Sequence, residues 1–248
     1  MRIENTSTVV SVVIPCLNEE ASIGGVVSAL IAQSVDEVIV VDNWSTDATA
    51  ERARDAGARI VQEPRHGYGR ACSAGLHAIR SDVEIVCFLD GDGSDVPSFL
   101  PAVVGPVARN EVDFVMGSRL RGRRERGSMT PQQIVAGAIA SLLLRLVYHV
   151  RFTDMSPFRA MRVSTLRRLG MREATYGWNL EMQMRASAAG LRILEVPVDH
   201  RRRRGGESKI SGKLAAGLKA AWTIATTFVR LVLALRRHQR PSLRNEEL

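Results

Sequence analysis

Two aspartates one residue apart, in Phe88-Leu89-Asp90-Gly91-Asp92-Gly93, follow directly on an apolar run. The carboxyl ends of parallel strands are where ligands bind, and an extended Asp-Gly-Asp aims both carboxylates at one hard cation. A Mg²⁺ or Mn²⁺ held by one or two carboxylates keeps coordination sites open for phosphate oxygens. Taken alone, the tripeptide is more often a solvated turn with Asp95 capping the next helix. Two further strand ends change that balance. Val38-Ile39-Val40-Val41 ends in Asp42 and leads through Asn43-Trp44-Ser45-Thr46-Asp47 into a helix; Asp42 suits a hydrogen bond from a base or ribose, and Ser45 or Asp47 suits the helix cap. Val9–Ile14 ends in the polar turn Pro15-Cys16-Leu17-Asn18-Glu19-Glu20. Three strands delivering carboxylates or amides to one edge read as a nucleotide site containing a metal.

Rival chemistries fit less well. A dinucleotide oxidoreductase needs a glycine-rich turn after its first strand, where this chain has Pro15 to Glu20; Gly67-Tyr68-Gly69-Arg70 follows the third strand instead, and no phosphate-binding lysine loop is present. Cys16, Cys72 and Cys87 match no zinc spacing and sit in core-like settings, which fits a reducing cytoplasm. The five histidines are scattered and receive no role. The run Arg201-Arg202-Arg203-Arg204-Gly205-Gly206-Glu207-Ser208-Lys209 has a bland reading as a solvated face, but its glycines also make a mobile basic loop able to close over a diphosphate.

These residues need a scaffold. Strand-like runs at Val9–Ile14, Glu37–Val41, Arg59–Gln62, Ile85–Leu89, Phe114–Met116 and Ile193–Val198 alternate with helical patterns at Ala21–Ala32, Ala48–Ala56, Gly69–Ile79 and Pro97–Ala108. That alternation predicts an α/β fold with a mostly parallel sheet flanked by helices. Past Gly117 come an arginine-rich stretch, a helix from about Pro131 to His149, a loop at Phe152–Pro157 and helices near Ser164–Leu169 and Asn179–Ala189. This half reads as an elaboration on the same sheet: a catalytic domain at 1–212, divided at 118, and a tail at 213–248.

The chain has 248 residues, 45% hydrophobic and 24% charged, which excludes disordered and collagen-like classes. Residues 1–198 balance 22 basic against 22 acidic side chains, while 199–248 hold 12 against 4, so the whole excess of +8 lies in the tail. That charge brackets an apolar helix, Leu214–Leu235, whose polar residues fall within an arc of about 100°. An amphipathic helix lying on an anionic membrane surface is therefore expected, and nucleic acid is not. The helix Ile134–Val150, with a narrow stripe of Ser141, Arg145 and His149, is read as core or membrane-facing with equal weight. The short polar start, Met1 to Thr8, has no signal-peptide pattern, so the expected location is the cytoplasm, peripheral at the inner face of the membrane.

The motifs together resemble the family-2 inverting glycosyltransferases of GT-A fold, in particular the polyprenyl- and dolichyl-phosphate mannosyl- and glucosyltransferases. They are Val-Ile-Pro-Cys-Leu-Asn-Glu-Glu at 13–20, Asp-Asn-Trp-Ser-Thr-Asp at 42–47, Asp-Gly-Asp at 90–92, Gly-Ser-Arg at 117–119, Phe-Arg at 158–159 and Arg-Arg-Gly-Gly-Glu-Ser-Lys at 203–209. The chain departs from the family pattern at Asn43, Trp44, Ser94 and Pro157. The resemblance implies that Pro15, Asn18, Glu19 and Asp42 surround the nucleotide, that Asp90 and Asp92 hold Mg²⁺ or Mn²⁺ and the diphosphate, and that Arg119, Arg203 and Lys209 meet donor and acceptor phosphates. Asp47 and Arg70 complete the expected nucleotide-sugar residues.

The expected reaction moves a hexose from UDP-glucose or GDP-mannose to a polyprenyl phosphate or other lipid acceptor, with inversion. An acceptor phosphate is already ionised; a hydroxyl acceptor would need a base, for which Glu181 or Asp154 is the candidate. A non-catalytic nucleotide-sugar sensor is the alternative from another class, and a homo-oligomer remains open.

Overall fold

The computed structural model describes residues 8–204, 222 and 225–234. Seven strands form one sheet in the order β3-β2-β1-β4-β6-β5-β7. The central strands β1 (Val10–Cys16), β2 (Glu37–Asp42) and β4 (Ile85–Phe88) are buried at every residue. Their sequences are near-continuous apolar runs because helices cover both faces of the sheet. β1 pairs in parallel with β2 from Ser11↔Glu37 to Cys16↔Asp42, and with β4 from Val10↔Ile85 to Val13↔Phe88. β3 (Arg59–Gln62) forms one edge beside β2, and its residues are partly exposed.

Alternate side chains of β1 feed two cores. Val12 and Ile14 pack among residues of α1 (Ile23–Ile31) and α4 (Leu100–Ala108), while Val13 faces α3 (Tyr68–Ala78). In α1 the buried Ile23, Val26, Val27 and Leu30 recur at helical spacing and so form one apolar stripe. α2 (Thr49–Asp55) follows β2, and a 3₁₀ turn at Pro97–Phe99 leads into α4. β5 (Phe114–Ser118) is followed by α5 (Pro131–Tyr148), whose start is set by Pro131 and a reciprocal cap: Gln133 N donates to Thr130 Oγ1 at 3.2 Å, and Thr130 N to Gln133 Oε1 at 2.8 Å. α6 (Val163–Leu169), α7 (Trp178–Ala188) and β7 (Ile193–Pro197) complete the sheet and its cover.

One central strand has no counterpart in the sequence reading. β6 (Arg159–Arg162) runs antiparallel to both β4 and β5, so the sheet is parallel everywhere else. Arg-Ala-Met-Arg has no apolar run to mark it. Arg159 is nevertheless almost fully buried, because its guanidinium donates to the carbonyls of Ser156 and Asn179 and lies over the Phe114 ring. Burial pulls its pKa down to about 10.

One strand also runs on into an expected motif. β1 continues to Cys16, so Pro15 is a buried strand residue rather than part of a turn; it lies past Val13, the last residue paired with β4.

Of the expected tail helix Leu214–Leu235, only Trp222 and Ala225–Ala234 are among the described residues. Ala225–Ala234, here α8, buries Phe228 and Leu231 in the same core as Trp178, and Arg230 pairs with Glu173. One face of this segment therefore belongs to the core and cannot serve a membrane. Trp222, Val229 and Leu233 remain exposed. On α5, only Ala136, Gly137, Ala140 and Leu144 are buried, and Val135, Leu142, Leu146 and Val147 are exposed.

Candidate active site

The loops that leave β1, β2 and β4 meet at one edge, and their polar side chains sew them together. Asn18, at φ 54°, accepts from Thr46 N at 2.8 Å, and its own N–H donates to Ser45 Oγ at 3.0 Å. Glu19 N donates to Thr49 Oγ1 at 2.7 Å, and Ala48 N to Glu20 Oε2 at 3.0 Å. Asp47 accepts from Thr49 N at 3.0 Å and from Glu20 N at 3.3 Å, and Asp42 Oδ1 accepts from Ser45 N at 3.1 Å. Asn18 and Asp47, expected at the nucleotide, thus serve first to hold its loops. Asp42 and Glu19 stand buried at the same edge.

The acidic loop is fixed by a close approach. A Cβ on Gly91 would lie 2.4 Å from Cys16 Sγ, so only glycine lets Asp90 and Asp92 follow β4 so tightly against β1. Gly91 O accepts from Ser22 Oγ at 2.8 Å. Asp92 Oδ1 accepts from Ser94 N at 2.9 Å, and Asp90 Oδ1 from the Tyr68 hydroxyl at 3.2 Å.

Asp95 does not cap the following helix. It is buried and turns back, accepting from Asp90 N at 3.0 Å. Burial, followed by the charges of Asp92 and Asp95, pushes the Asp90 carboxyl well above the usual range; burial likewise pushes Asp95 up to about 7. Three carboxyls are thus crowded at the end of β4, with Arg203 3.5 Å from Asp92 as a neighbouring cation. That crowding and an all-oxygen donor pair on Asp90 and Asp92 fit a hard divalent cation. Among the described residues no group of three or more His, Cys, Asp or Glu side chains forms a ready-made cage, and two carboxylates are what Mg²⁺ takes when phosphates complete its shell.

The basic segment comes in from the far end of the chain. Arg204 N donates to Asp92 O at 3.1 Å and Arg201 N to Ser94 O at 2.9 Å, while His200 N donates to Arg123 O at 2.9 Å. It is therefore stitched between the acidic loop and the arginine-rich stretch. Arg203 reaches Glu19 at 2.6 Å and Asp92 at 3.5 Å. Lys209 lies outside the described residues.

Three expected site residues are placed differently. Arg119 is buried in a bidentate pair with Asp154, at 2.8 and 2.7 Å, and its backbone N–H donates to the same carboxylate at 2.9 Å. Nε and Nη2 of its guanidinium are therefore taken up by Asp154. Glu181, fully buried, accepts from Arg172 N at 2.9 Å and Glu173 N at 2.7 Å and pairs with Arg185 at 2.8 Å. Its oxygens hold the loop before α7 rather than facing an acceptor. Arg70 lines a cavity of about 310 Å³ with Glu63, Arg172 and Glu173. Gly69 beside it has a Cβ position 2.1 Å from Glu173 O, which explains the small residue at the start of α3.

Sequence reasoning assigned nothing to His200. It is buried, and burial together with Arg119 pulls it down to about 4, so the imidazole is neutral at neutral pH. Its Nδ1 lies 3.8 Å from Asp95 Oδ1, too far for a hydrogen bond. The only sequence hint was its place just before the arginine run.

Residues 11–170 match the sequence family described as Glycosyl transferase family 2. An uncharacterized glycosyltransferase of Mycobacterium tuberculosis is 39% identical over 212 residues, covering 85% of this chain and 94% of the relative. An undecaprenyl-phosphate mannosyltransferase of Micrococcus luteus is 30% identical over 232 residues, with 85% and 94% covered. Among solved structures, glucosyl-3-phosphoglycerate synthase from Mycobacterium tuberculosis, in complex with Mn²⁺, UDP-glucose and phosphoglyceric acid, superposes with a TM-score of 0.70 at 26% identity, covering 91% of this chain and 80% of that one.

Proposed function

The chain belongs to glycosyl transferase family 2, and on that premise we propose that it moves a hexose from a nucleoside diphosphate sugar to a polyprenyl phosphate, with inversion at the anomeric carbon. The observation that carries the acceptor assignment is that both candidate bases are taken up. Glu181 holds backbone amides and Arg185, and Asp154 is clamped to Arg119. A hydroxyl acceptor needs a proton acceptor at the reacting atom, whereas a phosphate is already ionised at neutral pH. The likeness to an undecaprenyl-phosphate mannosyltransferase supports the same acceptor class.

Asp90 and Asp92 would hold Mg²⁺ or Mn²⁺, which supplies charge neutralisation on the leaving diphosphate. Arg203, already against Glu19 and Asp92, adds a cation on the same side. Asp42, buried at the same edge, would accept from a ribose hydroxyl or a base N–H. The neighbouring structure's complex with UDP-glucose and Mn²⁺ supports both the donor class and the metal. UDP-glucose and GDP-mannose, each with polyprenyl phosphate and Mg²⁺ or Mn²⁺, are the assay: one lipid-linked hexose phosphate with inverted configuration is expected. Transfer to hydroxyl acceptors alone, or donor binding without turnover, would replace this reading.

We place the reaction at the inner face of a membrane. Val135, Leu142, Leu146 and Val147 on α5, with Trp222, Val229 and Leu233, offer exposed apolar side chains, and the chain's basic excess lies in the sequence after residue 198. α5 is long and apolar enough to cross a membrane by length and composition, but we assign it to the surface because Arg145 sits within it. Full-length protein is expected to sediment with anionic liposomes and to be only partly released by high salt, since apolar burial is not screened. Leu142→Glu with Leu146→Glu should abolish that binding without unfolding the protein. Unchanged sedimentation of the double variant would remove the membrane from this reading.

A further inference from the structure

Trp44 is the outlier of the site edge. It holds φ 74°, in the left-handed region where a bulky side chain is strained, and yet its side chain is 54% exposed, so no core packing rewards the strain. Both neighbours enforce the conformation. Asn43 is buried and donates from Nδ2 to Glu63 O at 2.9 Å and Arg65 O at 2.8 Å, while its Oδ1 accepts from Gly67 N at 2.8 Å. Ser45 is pinned on the other side by Asp42 and Asn18. Between these anchors the indole is lifted off the loop, with His66 as its aromatic neighbour at 5.4 Å between centroids and 38° between planes.

We infer that Trp44, buttressed by His66, is the stacking surface for the nucleobase of the donor. The inference rests on the donor reading above. Its geometric support is lateral: Trp44 follows β2 and the Asp90–Asp92 loop follows β4, two strands across the sheet, which is roughly 10 Å. A diphosphate at the acidic loop, extended by a ribose toward β2, brings its base to that distance. Asp42, two residues earlier, supplies an acceptor for the base edge or ribose, and an aromatic ring supplies the face. Backbone strain held at a binding site in this way is retained for what the side chain does, not for the fold.

The test is calorimetry with UDP, GDP and inorganic pyrophosphate, each with Mg²⁺, on wild type, Trp44→Gly and Trp44→Phe. Glycine relieves the strain, so Trp44→Gly should melt higher than wild type. It should bind the nucleoside diphosphate about tenfold or more weakly, with pyrophosphate unchanged, and Trp44→Phe should recover most of the affinity. Wild-type affinity in Trp44→Gly, or an equal loss for pyrophosphate, would overturn the stacking role and leave the donor reading standing. A wild-type protein that binds neither nucleotide would overturn both.

Discussion

Asp92→Ala is expected to lower hexose transfer by about a hundred- to a thousandfold or more, the scale on which removing one preorganised charge-stabilising group acts, while leaving the fold intact. The carboxylate is mostly covered, but its contacts are light: one backbone N–H from Ser94 at 2.9 Å and Arg203 at 3.5 Å. Losing them costs about 0.5–1.5 kcal/mol. A compensating gain is expected, because the charge of Asp92 is one of the causes that push Asp90 up. Initial rates, calorimetric Mg²⁺ or Mn²⁺ titration in the presence of UDP, and the melting midpoint together separate the outcomes. Turnover and metal affinity like those of the wild type would remove Asp92 from the metal site; lost activity with a collapsed melting transition would assign it to the fold.

The opposite pattern is expected at Asp154. Asp154→Ala leaves the Arg119 guanidinium buried and unpaired, and breaking a buried pair from one side costs about 3–5 kcal/mol. Asp154 also receives the backbone N–H groups of Arg119 and Met155, so the segment after α5 and the end of β5 should loosen together. Chemical denaturation should therefore show a large loss of stability before any kinetic effect is considered.

The pH dependence gives a second reading of the same pair. Burial raises the Asp154 pKa, but the hydrogen bonds and charge of Arg119 outweigh it and hold the carboxyl below its ordinary value. A carboxylate with a depressed native pKa contributes stability that is full above its unfolded value, near 3.9, and is lost as the pH falls through the native value. The gap between wild type and Asp154→Ala should thus be constant near neutral pH and close below about pH 4. A gap that stays open in acid would show that packing, not the ion pair, carries the cost.

The metal loop and the Arg119–Asp154 pair also divide what local sequence encodes from what it does not. Apolar runs bounded by turns marked β1 to β5 and β7, and the Asp-Gly-Asp after β4 was readable as a strand-end acid pair, because both signals lie within a few consecutive residues. β6 escaped for the converse reason: with an arginine at each end, its burial depends on the carbonyls of Ser156 and Asn179, which belong to other segments.

Residue type alone also could not say which charges face a ligand. Arg119 and Glu181 carry the chemistry expected of site residues, yet their partners are Asp154, 35 positions away, and the amides before α7 together with Arg185. His200 looked like one of five scattered histidines until burial made it neutral between the acidic loop and the arginine stretch.

The sequence by itself determined the α/β alternation, the strand-end acids and the family, since periodicity and short motifs are properties of neighbouring residues. Tertiary structure decided which charges pair and which are desolvated. Arg203 meets Glu19 across 184 positions, and Trp44 is held at positive φ by loops that β2, β3 and β1 bring together. Coulomb energy and desolvation depend on distance in space and on burial, and neither is a function of separation along the chain.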